Sequence, residues 1–227
     1  MSKKFKFTFL DTPRWSPRGD KIAFVGFLRE PTGAKNEIFT VKTNGTRLTE
    51  ITHDRISPGI RSLSWAPDGR RIAFDRGSWE EWNQDLFIVD TINGKIKRLT
   101  QTKWESEYSP SFSPDGRKIA YWTLSNKLFI MDLESSVHTE IPLPDRLDVR
   151  YSRVSWSING NQIVFDAVEG RDWNIYLYDL RTDEIKKILR SPEIEMDPDW
   201  WRGYTAVKPL NLLNTLWSLI KRGEVKR

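Results

Sequence analysis

The chain has 227 residues, 38% of them apolar and 12% aromatic, with 30% charged residues, a net charge of +5 and no cysteine. This is enough apolar material for one domain with a sizeable core, and the charge is too mild to demand a polyanionic partner. Disulfides and thiolate metal centres are excluded, and no apolar run approaches the roughly 20 residues of a membrane-spanning helix. The first ten residues alternate Lys or Thr with Phe (Lys4-Phe5-Lys6-Phe7-Thr8-Phe9). That alternation predicts a half-buried strand rather than the continuous apolar core of a signal peptide.

From residue 15 onward one phrase recurs. It reads Trp15-Ser16-Pro17-Arg18-Gly19, Trp65-Ala66-Pro67-Asp68-Gly69, Phe112-Ser113-Pro114-Asp115-Gly116 and Trp156-Ser157-Ile158-Asn159-Gly160, then decays to Trp200-Trp201-Arg202-Gly203. The aromatic residues lie 50, 47, 44 and 44 residues apart. Pro presets φ, Asp bonds its own backbone and Gly accepts positive φ, so each phrase is a tight turn. Each is followed by a strand-like run: Ile22-Ala23-Phe24, Ile72-Ala73-Phe74, Ile119-Ala120-Tyr121, Ile163-Val164-Phe165. A second run follows at Glu37–Val41, Leu86–Asp90, Leu128–Asp132 and Ile175–Asp179, then a second turn marked by Asn44-Gly45, Asn93-Gly94, Ser135-Ser136 or Asp183-Glu184. Each unit is expected to close with Arg47-Leu48-Thr49, Arg98-Leu99-Thr100, Thr139-Glu140-Ile141 or Lys187-Ile188-Leu189. Four antiparallel strands per repeat, apolar on both faces, must stack on their neighbours, and a period of this size predicts a radial array.

The phrase Trp-Ser-Pro-Asp-Gly-basic-basic-Ile-Ala-Phe, then Leu-Phe-Ile-Val-Asp, Gly-Lys and Arg-Leu-Thr, resembles the TolB-type (WD-repeat-like) β-propeller repeat over roughly residues 12 to 203. Arg18, the Ile158-Asn159 pair and the truncated fifth copy depart from it. The fold expected is an all-β propeller of four complete four-stranded blades (about 12–52, 60–102, 107–145 and 149–192) forming one domain. A partial repeat at 193–207 needs a partner, and a composite fifth blade built from the N- and C-terminal segments supplies one. Four blades with a strap, or a second chain completing a larger ring, are the alternatives, so monomer and homo-oligomer both remain open. Leu213, Leu216, Trp217 and Ile220 fall at i, i+3, i+4 and i+7 after Pro209, predicting an amphipathic helix over 209–222 that acts as a lid or strap. The complete chain would be cytoplasmic. Many relatives of this repeat type are exported, which makes it periplasmic or secreted if a leader has been removed.

The tight turns share one face of such an array. The loops between second and third strands, and those linking blades, share the other. Trp79, Trp82, Trp104 and Trp173 lie outside the repeat's aromatic position, and all four map to this second face. Exposed Trp, Tyr and Arg dominate binding hot spots, so the candidate binding residues are Arg55, Arg61, Trp79, Glu80, Trp82, Trp104, Arg146, Arg150, Arg171 and Trp173. Packing of these rings over the blade edges is the competing role.

Nothing in the chain supports catalysis. No Gly-x-Ser-x-Gly elbow is present, and the two imidazoles, His53 and His138, belong to opposite faces, which also argues against a histidine metal centre. Neighbouring acids such as Glu80-Glu81 are read as solvated charge, and no cofactor is expected. The resemblance implies a non-enzymatic scaffold that binds a protein or peptide. A carbohydrate-binding or degenerate lyase-like propeller, taking an oligosaccharide, and an accessory propeller of a peptidase system are the alternatives. The basic termini read as solvated ends, and no nucleic acid is expected.

Overall fold

The computed structural model describes residues 5–30, 33–53, 59–77 and 83–188, which form β-strands and no helix. The first sheet has the order β1 (Phe7–Trp15), β2 (Lys21–Glu30), β3 (Gly33–Lys42) and β4 (Thr49–Glu50). The second contains β5 (Leu63–Trp65), β6 (Arg71–Gly77), β7 (Gln84–Asp90) and β8 (Ile96–Arg98). The third contains β9 (Glu107–Phe112), β10 (Lys118–Thr123), β11 (Lys127–Asp132) and β12 (His138–Ile141). In the fourth, β15 (Gln162–Glu169), β16 (Asp172–Asp179) and β17 (Glu184–Lys187) follow an inner strand split into β13 (Leu147–Asp148) and β14 (Val154–Trp156). All pairings are antiparallel between chain neighbours, as four successive meanders require.

Each blade is organised around one cross-strand aromatic pair. Phe24 faces Phe39, Phe74 faces Phe87, Tyr121 faces Phe129 and Phe165 faces Tyr176, with ring centroids 5.5–5.7 Å apart and planes within 22° of parallel. The repeat aromatic then joins each blade to the one before. Trp65 packs among Ala23, Val25 and Ile38 and donates its indole N–H to the Arg14 carbonyl at 3.1 Å. Phe112 packs among Ala66, Ala73 and Leu86, and Trp156 among Ala120, Trp122 and Leu128. Innermost strands β1, β5, β9 and β14 touch in succession, whereas the outermost strands β4, β8, β12 and β17 do not. The sheets therefore fan outward as propeller blades.

The tight turns show how the phrase works. Ser16, Ser113 and Ser157 each accept, on the hydroxyl, the N–H of the residue five positions on, at 2.9–3.0 Å. The second repeat has Ala66 there, and Asp68 Oδ1 takes over, accepting the N–H groups of Arg70 and Arg71. Gly19, Gly69, Gly116 and Gly160 all sit at φ between 68° and 73°, the left-handed region that glycine enters without a Cβ penalty.

Three expectations change. The outermost strand of the first blade is Thr49–Glu50, and Glu50 occupies the register position of Arg98, each facing the second Phe of its aromatic pair. Arg47-Leu48-Thr49 is thus three residues out of step, because Arg47 adopts φ 54° and extends the turn. In the third blade Glu140, not Thr139, holds that position, one residue away from the expected register. Finally, of the segment Lys4–Leu10 expected to partner a composite fifth blade, Phe7–Leu10 forms the leading half of β1 and pairs with β2 through Leu28, Phe27 and Gly26. The partial repeat at 193–207 and the helix at 209–222 lie outside the described residues.

Candidate functional site

The inner strands are irregular at one end, and that end is the loop face. Thr12 (φ 45°) and Ser109 (φ 54°) occupy equivalent bulges, and the fourth inner strand breaks completely between Asp148 and Val154. Within that break Tyr151 takes φ 74° and is 65% exposed. Bulges re-aim side chains, and here they turn residues from three blades toward one another.

The convergent group is a row. The Arg61 guanidinium, leading into the second blade, lies 5.7 Å above the Tyr108 ring of the third. Tyr108 stacks on Trp122 at 4.5 Å and 20°, and Trp122 meets Tyr151 at 5.9 Å. Arg61 is exposed and makes no ion pair among the described residues. The row is therefore open to solvent at both ends and packed in the middle, where Trp122 is buried.

Beneath Arg61 a buried carboxylate fixes the backbone. Asp75 on β6 accepts the N–H groups of Arg61 (2.8 Å), Ser62 (2.9 Å) and Ser109 (3.1 Å), and the Ser62 hydroxyl (2.8 Å). Burial pushes its carboxyl up, and these donors pull it back. One side chain thus ties the lead-in of the second blade to the inner strand of the third.

Two of the other expected cations, Arg146 and Arg150, are neutralised. Arg150 grips Asp148 through Nε at 2.9 and 3.0 Å and holds that carboxyl below its usual range. Arg146 meets Glu169 at 2.7 Å, and Glu169 is drawn down to about 2 by hydrogen bonds from Lys187, Tyr176 and Arg146. Arg171 is exposed at the β15–β16 hairpin. Trp104 is 96% exposed, so it does not cap a blade edge. Trp173 is half-buried opposite Val168, next to Asn174, whose side of the sheet faces the third blade; Trp173 takes the other side and does not join the row. Arg55, Trp79, Glu80 and Trp82 lie outside the described residues.

Sequence reasoning placed Tyr108 on the loop face but left it, with Trp122 and Tyr151, out of the candidate binding residues. Trp122 stands where the other repeats have Val25, Asp75 and Asp166, and that departure was the available signal. His138 begins β12 rather than lying in a turn, with Nδ1 2.7 Å from the Tyr121 hydroxyl; His53 is 3.8 Å from Glu50. Among the described residues no three His, Cys, Asp or Glu side chains are grouped to hold a metal. A cavity of about 190 Å³ lies between the β10–β11 turn and the segment after β12, lined by Asn126, Lys127, Glu140, Leu143, Pro144 and others. It is small beside ordinary ligand pockets, which run from about 300 Å³ upward.

Four sheets fanned around adjoining inner strands define a β-propeller. No family model matches the chain. It is 34% identical over 111 residues to the protein TolB homolog of Chlorobium chlorochromatii, covering 48% of this chain and 22% of the relative. It is 25% identical over 146 residues to dipeptidyl-peptidase 5 of Porphyromonas gingivalis, covering 58% of this chain and 21% of the relative. Among solved structures, TolB from Acinetobacter baumannii superposes with a TM-score of 0.66 at 17% identity, over 83% of this chain and 45% of that one. These matches span about a fifth of each curated relative's length. The repeats are similar to those of TolB-type β-propellers.

Proposed function

We propose that the protein is a non-enzymatic scaffold that captures a protein or peptide on its loop face, over the row Arg61–Tyr108–Trp122–Tyr151. The observation that carries this reading is the row itself, because side chains from three blades meet there with a cation and a phenol left open to solvent. Large rigid rings and an arginine with no ion pair among the described residues offer contact area at low entropic cost. Tyr151 supports it further: a non-glycine residue at φ 74° costs about 1–2 kcal/mol, and a ring so exposed returns only its tilted contact with Trp122. The likeness to TolB proteins of the Tol-Pal system favours a periplasmic setting over a cytoplasmic one.

The test pairs affinity with stability. With a partner isolated on the wild-type protein, Arg61→Glu and Tyr151→Gly should each weaken binding by roughly 30-fold or more, the scale of a hot-spot residue. Tyr151→Gly should leave the melting temperature unchanged or raised, since it removes the strained Cβ. Full-strength binding by both variants sinks the reading. The match to dipeptidyl-peptidase 5 favours a second reading, an accessory propeller of a peptidase system, which co-purification with a peptidase from the native host would distinguish. A thermal-shift screen against oligosaccharides separates both from a carbohydrate-binding role.

A further inference from the structure

The loop that carries exposed Trp104 is closed by a side chain the binding row does not use. Glu107, the first residue of β9, is 2% exposed and lies between the second and third blades. Its Oε1 is 2.8 Å from Thr102 Oγ1, and its Oε2 is 3.2 Å from Thr100 Oγ1. Thr102 Oγ1 is also 2.9 Å from the Glu105 carbonyl.

Counting protons in this group decides its state. A threonine hydroxyl has one proton, and a carbonyl oxygen only accepts. Thr102 must therefore spend its proton on the Glu105 carbonyl, and the contact to Glu107 needs a proton from Glu107. Thr100 Oγ1 accepts the Leu86 N–H, which leaves its own proton for Glu107 Oε2. One donating O–H and one accepting C=O are the hydrogen-bonding pattern of a neutral carboxylic acid.

We propose that Glu107 is a proton-operated latch: in its neutral form it donates to Thr102 and fastens the 102–106 loop across the seam between the second and third blades, and its ionisation releases that loop. The ionisable groups bearing on Glu107 agree with this. They are Asp85 of β7, ion-paired with Arg98 of β8, Glu105 of the same loop, and the Tyr121 phenol of β10. Burial, reinforced by Asp85 and Glu105, pushes the carboxyl up to about 7. Ionised Glu107 competes with the Glu105 carbonyl for the single Thr102 proton, so the Thr102 hydroxyl keeps only one of its two contacts. Trp104 and Glu105 then move relative to Tyr108, the residue next to Glu107 and a member of the row. The latch stands without the binding reading; its control over recognition rests on that reading.

Glu107→Gln is the informative variant, because the amide keeps one donor and one acceptor in the same places and locks the latch at any pH. Amide hydrogen exchange at Lys103–Ser106 is followed from pH 6 to 8 in both proteins, with the variant correcting for base catalysis of exchange itself. Wild-type loop opening should rise about tenfold more than that of the variant across this interval, as expected for a carboxyl titrating near 7 when closed and near 4.5 when open. Thr102→Val should show the opened behaviour already at pH 6. Parallel exchange profiles for wild type and Glu107→Gln overturn the latch. Should the glutamine variant not fold, the carboxyl ¹³C shift of wild-type Glu107 decides: a midpoint near 7 upholds the proposal, and one below 5 ends it. Loss of the pH-dependent exchange difference speaks to the latch alone, while loss of partner binding in the Arg61 and Tyr151 variants speaks to the row alone.

Discussion

Replacing Asp75 with Ala tests whether one carboxylate joins two blades. The side chain is almost wholly buried and accepts four hydrogen bonds, three from backbone N–H groups of Arg61, Ser62 and Ser109. Alanine leaves those three donors without an acceptor, at about 1–3 kcal/mol for each buried group. Part of that loss is offset, because burying the carboxylate is itself unfavourable, and that burial pushes its carboxyl up. The net expectation is a loss of roughly 3–5 kcal/mol, a large share of the 5–15 kcal/mol typical of a folded domain. Urea denaturation at pH 7, read by tryptophan fluorescence and by far-UV circular dichroism, gives the value directly. Asp75→Asn should fall between wild type and alanine, since it keeps one accepting oxygen. A loss below about 1 kcal/mol for the alanine variant would refute the reasoning, because the three amides would then have to find other acceptors at no cost.

Glu37 gives a prediction with a definite sign in pH. It is 1% exposed, Thr52 donates to one of its oxygens, and burial, ahead of that hydrogen bond, raises its carboxyl to about 7. The folded state therefore holds the proton more tightly than the unfolded chain. Stability is greatest below about pH 4.5 and falls as pH rises toward 7, by up to about 3 kcal/mol from this group; Glu37→Gln should flatten that part of a melting-temperature profile between pH 5 and 8. Gly116 lies at φ 70°, where a Cβ would sit 3.1 Å from Pro67 Cγ in the preceding turn. Gly116→Ala should cost about 1–2 kcal/mol in thermal denaturation, whereas a neutral result would mean the turn relaxes freely.

The aromatic–turn–strand phrase made the repeats legible because each residue in it acts locally: Ser or Asp caps the turn, Gly enters positive φ, and Ile-Ala-Phe alternates across the sheet. The outermost strands were harder. They are two to four residues long, and their register depends on where the preceding turn releases the chain, which Arg47 delays through its left-handed conformation. The binding row was half legible. Arg61 was recognisable as an exposed cation on a linking loop, but Tyr108 and Trp122 sit inside strands and gain their meaning from a bulge and from the neighbouring blade. Arg146 and Arg150 looked equally suitable until cross-strand Glu169 and nearby Asp148 were seen to neutralise them.

The outer ion pairs of the second and third blades have opposite polarity. Arg98 on β8 meets Asp85 on β7, whereas Glu140 on β12 meets Lys127 on β11 at the same diagonal position. Sister repeats this similar in apolar pattern run the risk of exchanging edge strands while the chain folds. A transplanted β12 would set Glu140 against Asp85, and a transplanted β8 would set Arg98 against Lys127, so like charges reject either exchange. That opposition gives the second and third leaves of the fan distinct addresses, written at the rim.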